Sequence, residues 1–372
     1  MGKTEHRALF PSPHSPSKTG VNALMGRGCP SGGEAKRGRE RGLLSEAFFD
    51  EANPSPGSRS LSLRAIHPLP QGEREESAWH ALNRARNAAM IIDTHTHVIA
   101  TDTKKYPLKP LFGKQSDWSA EHPLDYPDEI AAMNEAGVDK SVLVQASSAY
   151  AFDNSYVADS VAAHPERFTG VFSIDVVAPD AVAKMKHWLG KGLTGMRIFT
   201  SGSTHAEQET FFADEAAMAV WQYASDNGVS VCMQMRVVGL PLLEEKVVKR
   251  FPKVRILLDH FARAEAADGP PFASAAPVWA LAKYPNVYLK LTHRPIEQSV
   301  KGKSTPEAFL GKAIKEFGAS RVCWGSNFPA AKPPLPELIK MARDALSFLP
   351  QGDQDQIFHK TALELYPALN KK

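Results

Sequence analysis

The chain has 372 residues, 43% of them hydrophobic and 23% charged, the composition of a globular protein with a large buried core. It contains no run of eighteen apolar residues, so no membrane span is expected. Its three cysteines (Cys29, Cys232 and Cys323) are too few for a disulfide framework or a cysteine-built zinc site, which points to a reduced, cytoplasmic setting. The net charge of +3 divides into +4 for residues 1–89 and −1 for residues 90–372, so the folding part is near neutral and carries no signature of nucleic-acid binding.

Residues 1–89 are crowded with Pro, Ser, Gly and Arg, as in PSPHSPSKTG (11–20), and show no sustained apolar period. Such a stretch buries too little apolar surface to offset its chain entropy. A disordered leader is expected, with short helices only at 42–52 and 77–89. Nine acidic residues argue against a transit peptide, and no apolar segment marks a secretory signal. Met90 opens the first expected strand, which leaves open a second reading: the leader is a translated upstream stretch and Met90 is the natural start.

From Met90 onward, β-rich runs alternate with helical patterns. Strands are expected at 90–95 (MIIDTH), 141–145, 168–175, 193–199, 229–235, 254–259, 286–291 and 321–325. Helices are expected between them, clearest at 127–137, 214–228 and 306–318, each ending at a glycine (Gly137, Gly228 and Gly318). Eight repeats of this alternation predict an α/β fold, a (β/α)8 TIM barrel over residues 90–372. No glycine fingerprint follows the first strand, which disfavours a doubly wound sheet.

In such a barrel the chemistry sits at the C-terminal strand ends. Strand 1 ends in Asp93-Thr94-His95-Thr96-His97, where a period of two puts His95 and His97 on one side, able to converge on one ion or one substrate oxygen. A lone histidine is more often a satisfied core residue; a pair at this position is harder to dismiss. Strand 6 ends in Asp259-His260, with His260 in phase with Leu258 and Ile256; it is a candidate base, ligand or electrophile, or else a cap. Lys290 interrupts the apolar run of strand 7, and a buried lysine needs a partner or an anion. Arg197 on strand 4 and Gln145 on strand 2 are candidates in the same sense. Strand 8 leads into Gly325-Ser326-Asn327-Phe328-Pro329, where Asn327 can orient water but cannot act as a base.

These motifs, in this order, resemble the amidohydrolase superfamily over residues 90–368. The likeness is to its amidohydrolase-related branch of small lactone and dicarboxylate hydrolases, which includes 2-pyrone-4,6-dicarboxylate hydrolase and the sugar lactonases. The resemblance rests on Asp93-Thr-His95-Thr-His97, Leu258-Asp259-His260, Tyr288-Leu-Lys290-Leu and Gly325-Ser-Asn327-Phe-Pro329. It implies a His-x-His pair ending strand 1 and an aspartate ending strand 8, with a histidine or carboxylated lysine added from the middle strands in metal-dependent members. This chain departs twice: strand 5 ends in Gln234-Met235-Arg236 without histidine, and Asn327 replaces the aspartate. The cofactor expectation is therefore none or a single divalent metal such as Zn2+, with His95 and His97 as its ligands and His260 as a third in principle.

The reaction that fits is hydrolysis of a small, carboxylated lactone or similar ester. Arg197 and Lys290, with Arg236 or Arg294, would bind the anionic substrate, and His95 and His97 would polarise the carbonyl. Asn327 would position water for His260 or another base. Trp118, Tyr150, Phe152 and Phe272 are expected to shape the pocket. Two alternatives stand beside this reading: a metal-dependent decarboxylase of the same superfamily, and a catalytically impaired binding barrel. No nucleic-acid or membrane partner is expected; a homo-oligomer is left open.

Overall fold

The computed structural model describes residues 90–200 and 210–370. The leader expected at 1–89 lies outside the described residues. Eight parallel strands follow one another in chain order around a single sheet. They are β1 (Ile92–Thr96), β2 (Lys140–Val144), β3 (Phe168–Ser173), β4 (Gly195–Phe199), β5 (Ser230–Gln234), β6 (Ile256–Asp259), β7 (Val287–Leu291) and β8 (Val322–Trp324). All eight expected strands are present, their ends moved by no more than two residues. Helices follow the strands in turn: α1 (Tyr126–Ala136), α2 (Ser155–Ala163), α3 (Ala181–Gly190), α4 (Met218–Asn227), α5 (Leu240–Leu243), α6 (Ala276–Ala280), α7 (Pro306–Phe317) and α8 (Leu335–Ala345).

Local chemistry sets where these helices stop and start. Gly137 and Gly228 take the left-handed conformation that closes α1 and α4, which a Cβ would disfavour. The Asp125 carboxylate accepts from the Asp128 N–H, and the Thr305 hydroxyl accepts from the Ala308 N–H, satisfying otherwise orphaned donors at the starts of α1 and α7.

Strand alternation divides the side chains into two layers. Leu143, Phe172, Met196, Met233, Ile256, Leu258 and Leu289 face outward into the core shared with the helices. Ile92, Val142, Val171, Cys232, Leu257, Tyr288 and Cys323 face the lumen. Leu365, Tyr366 and Leu369 close the lower end of the lumen, with the Tyr366 hydroxyl 3.3 Å from Cys232 Sγ. Polar side chains occupy the upper end, above this apolar floor.

The barrel closes between β8 and β1. Thr96 bridges Phe328 in parallel, the His97 N–H donates to the Phe328 carbonyl (2.9 Å), and the Asn327 N–H donates to the His95 carbonyl (2.7 Å). Asp93 Oδ1 accepts from the N–H groups of both His95 and Ser326, each at 2.9 Å. The β1–β2 register is irregular between Asp93 and Thr96. This shift lets Thr94, in phase with Ile92, reach the lumen residue Cys323 while His95 and His97 also point inward. At Gly325 a Cβ would stand 2.7 Å from His95 Cβ and 2.9 Å from its backbone nitrogen, so only glycine permits this approach. Gly325→Ala should therefore destabilise the barrel by about 1–3 kcal/mol, read as a drop in thermal midpoint. An unchanged midpoint would show that the seam shifts freely.

Candidate active site

At the top of the lumen the carboxylate of Asp259, in phase with inward-facing Leu257, is completely buried between two cations. Arg197 Nε donates to Oδ2 at 3.0 Å. Lys290 Nζ stands 3.0 Å from Oδ1, an ion pair lying off that oxygen's hydrogen-bonding direction. Burial alone would raise the carboxyl pKa, but Lys290, His95 and Arg197 hold it well below the usual carboxylate range. Lys290 is fully buried and also donates to Cys232 Sγ at 3.2 Å. The cluster of Asp259, Arg197 and Lys290 thus carries one positive charge in excess.

Three imidazoles sit over this cluster. The His95 ring lies 5.0 Å from that of His97 and 4.9 Å from that of His260, centroid to centroid. Both His95 nitrogens are enclosed without a hydrogen bond, Nδ1 being 3.5 Å from Asp259 Oδ1. His97 Nδ1 stands 2.7 Å from the Val144 carbonyl. A carbonyl oxygen only accepts, so the neutral His97 ring carries its proton on Nδ1 and a lone pair on Nε2. Burial, then the Arg197 charge, pushes the His97 pKa down to about 3. His260 Nδ1 pairs with the Thr292 hydroxyl at 2.8 Å, and burial holds this ring too well below the ordinary histidine value.

His260 reaches the cavity by a backbone device. Its in-phase neighbours Leu258 and Ile256 face outward, so a continued strand would send it to the helices. Instead, His260, Phe261, Ala262 and Arg263 all have φ between 51° and 56°. This left-handed turn, costing about 1–2 kcal/mol per residue, brings both His260 and Arg263 to the cavity.

That cavity, about 110 Å3, is lined by His97, Trp118, Ser147, Ser148, Arg197, Gln234, His260, Arg263, Arg294 and Asn327, among others. Among the described residues, three guanidinium groups border it and no carboxylate does. Arg263 Nε is enclosed without an acceptor, and its pKa is lowered by burial and then by the neighbouring Arg294, Arg236 and Arg197 charges. Trp118 stacks on His97 at 5.1 Å.

The amidohydrolase family model matches residues 92–368. The chain belongs to the amidohydrolase family. An 85-residue stretch, 23% of the chain, is 33% identical to L-fucono-1,5-lactonase of Burkholderia ambifaria, of which it spans 29%. Among solved structures, a zinc-bound amidohydrolase from Burkholderia multivorans superposes with a TM-score of 0.60 at 20% identity, over 75% of this chain and 99% of that one. A candidate 2-pyrone-4,6-dicarboxylic acid hydrolase from Pseudomonas putida gives 0.59 at 19% identity, over 75% and 98%. At these identities the structural likeness is one of fold.

The zinc-bound neighbour makes metal binding a question for this amidohydrolase. Among the described residues, no three His, Cys, Asp or Glu side chains converge as a metal-binding group. Asp259 is engaged by two cations, and the amide of Asn327 stands where the family resemblance implies a carboxylate. The donor set therefore does not fit a metal held by three protein ligands.

Of the residues singled out by sequence, His97, His260, Asn327 and Arg197 line the cavity, while His95 and Lys290 lie sealed behind it. Lys290 meets Asp259 rather than the cavity, so its buried charge is already matched within the protein. Gln145 is turned away, its amide donating to the Ala151 and Asp153 carbonyls and so holding the loop after β2. Arg236 is not among the cavity's lining residues; it is half-buried on the loop after β5. Trp118 alone of the four expected pocket-shapers lines the cavity; Tyr150 Oη is occupied by the Ala100 N–H, Phe272 packs on Phe309, and Phe152 is exposed. Ser147 and Ser148 went unnoticed, although their place just after β2 is a signal by the strand-end rule. Arg263 carried no such signal.

No helix among the described residues is long and apolar enough to cross a membrane. Because folding depresses the His97 pKa, the folded ring stays neutral while the unfolded ring gains a proton below about pH 6.5. The resulting stability is present above that pH and lost on acidification toward pH 3, with a limiting slope of about 1.4 kcal/mol per pH unit. Thermal melts between pH 4 and 7 should fall less steeply for His97→Gln than for wild type; parallel curves would refute the neutral, buried assignment.

Proposed function

We propose that this amidohydrolase opens a small lactone, or a comparable ester, that carries a carboxylate. The observation that carries this reading is electrostatic. Among the described residues, Arg197, Arg263 and Arg294 border a cavity lined by no acidic side chain, over a buried cluster one negative charge short of balance. A bound carboxylate offsets part of this positive charge in a poorly solvated site, where charge-assisted hydrogen bonds are strong. The partial match to a sugar lactonase and the family membership support lactone chemistry.

The acid–base work falls to the imidazoles. The Nε2 atoms of His97 and His260 have no hydrogen-bond partner among the described residues, and both rings line the cavity. Asn327 borders the same space and can orient a water through its amide. A lone pair on one of these imidazoles removes the water's proton as its oxygen adds to the carbonyl carbon. The same group returns the proton to the ring oxygen as the carbon–oxygen bond breaks. A lactone, more reactive than an amide, tolerates a base as weak as a buried histidine.

Turnover should be found with 2-pyrone-4,6-dicarboxylate or another carboxylated lactone and be much weaker with the uncharged L-fucono-1,5-lactone. The opposite preference would contradict the anionic reading. Release of CO2 from an aromatic acid would favour the decarboxylase instead, and tight anion binding without turnover a binding barrel. Asn327→Ala should lose at least about tenfold in kcat, since only the water's orientation goes; wild-type kinetics would remove Asn327 from the mechanism.

Since the donor set does not form a three-ligand metal group, chelation followed by metal analysis should leave the rate unchanged. A stoichiometric zinc whose removal abolishes turnover would overturn that expectation.

A further inference from the structure

Ester hydrolysis needs a donor for the oxyanion that forms on the carbonyl oxygen, and the strand-1 histidines do not provide one. Both nitrogens of His95 are sealed from the cavity. The only N–H of neutral His97 points at the Val144 carbonyl, leaving an acceptor at Nε2. His260 Nδ1 pairs with the Thr292 hydroxyl, which can donate or accept, so this ring presents a donor at Nε2 in only one of its two tautomers, and the other is the one that serves as base. Expecting the His-x-His pair to polarise the carbonyl therefore conflicts with how the pair is hydrogen-bonded.

The three cavity arginines are held in two different ways. Arg197 is only 5% exposed; its Nε is bound to Asp259 Oδ2 at 3.0 Å and its Nη2 to Gln234 Oε1 at 3.4 Å. Its guanidinium carbon also lies 5.3 Å from the Phe199 ring centre. The plane of this guanidinium is fixed before any substrate arrives, and Nη1 is left without a protein partner among the described residues. Neither Arg263 nor Arg294 is ion-paired to an acidic side chain among the described residues, and Arg294 is exposed. Fixed donors suit charge that develops only in the transition state, because they need no reorganisation as the reaction proceeds. Adaptable donors suit a carboxylate that is charged throughout.

We propose that Arg197 is the catalytic oxyanion donor, with Asp259 as its positioning residue, and that Arg263 and Arg294 bind the substrate carboxylate. As water's oxygen bonds to the carbonyl carbon, the carbonyl electron pair moves onto its oxygen and is received by Arg197. The pair then returns, the ring carbon–oxygen bond breaks, and the imidazole-held proton passes to the departing ring oxygen. One water is consumed and one hydroxy acid is formed. The inference rests on the lactone-hydrolase reading and adds a division of labour among its arginines.

Steady-state kinetics on a carboxylated lactone, 2-pyrone-4,6-dicarboxylate for instance, test it through the separation of kcat from KM. Arg197→Met should lower kcat about 10²–10³-fold with KM near wild type. Arg263→Gln and Arg294→Gln should each raise KM about tenfold or more with kcat near wild type. Asp259→Asn should follow Arg197→Met in direction. Because that change leaves Lys290 buried and unpaired, the double variant Asp259→Asn/Lys290→Met is measured as well; it restores the wild-type net charge of the cluster but not the anchor of Arg197, so kcat should stay low. Wild-type kcat in a folded double variant would mean that Asp259 only neutralises Lys290, and a KM effect alone in Arg197→Met would mean that Arg197 only binds the carboxylate. Either result overturns the division of roles while leaving the hydrolase reading intact. A wild-type protein inert on every carboxylated lactone would bring down that reading, and the inference with it.

Discussion

One buried carboxylate organises the upper lumen. Asp259 draws Arg197 from β4 and Lys290 from β7 to a single point and lies 3.5 Å from His95 of β1. Desolvating such a group is expensive, and buried ion pairs often cost as much as they return. The return here is geometric: side chains from four strands are fixed relative to one another at the end of the barrel where the family's chemistry lies. Removing one partner leaves an uncompensated buried charge, a loss typically of about 3–5 kcal/mol. Fold and site are thus held by the same contacts.

Backbone geometry completes what the charges begin. Asp259 faces inward by strand phase, and the residue after it would face outward if the strand continued. The left-handed turn from His260 to Arg263 breaks that alternation and places an imidazole and a guanidinium beside Arg197. Asn327, at φ 62°, makes a similar excursion across the seam, where its N–H meets the His95 carbonyl. Asparagine is among the few non-glycine residues that adopt this conformation readily. Strain concentrated at such points is common where side chains must be aimed rather than merely packed.

The barrel was legible in the sequence because each strand carries its own signal: a short β-branched run, a phase and a closing turn. Arg197 and Lys290 were legible as inward-facing charges for the same reason. Their partner was not, since Asp259 pairs across 62 residues to Arg197, and a buried cation looks alike in sequence whether it awaits a substrate or an aspartate. His260 was found by the wrong phase argument; it reaches the cavity only through a turn of non-glycine residues that no local pattern announces. Arg263 escaped notice for that reason. Gln145 misled because a buried amide at a strand end serves a loop as readily as a ligand.

With Tyr366, Leu365 and Leu369 filling the lower lumen, the cavity lies at the upper end of the barrel among the described residues. Under the proposed lactone hydrolysis, ring opening creates a new carboxylate, so the molecule that leaves would carry more negative charge than the one that entered. It would depart past the same guanidinium groups proposed to bind its precursor. Such traffic would make product egress, rather than bond cleavage, the bottleneck of an enzyme working in this way. Added salt, by screening the exposed Arg294 charge, would then ease release while it weakens capture.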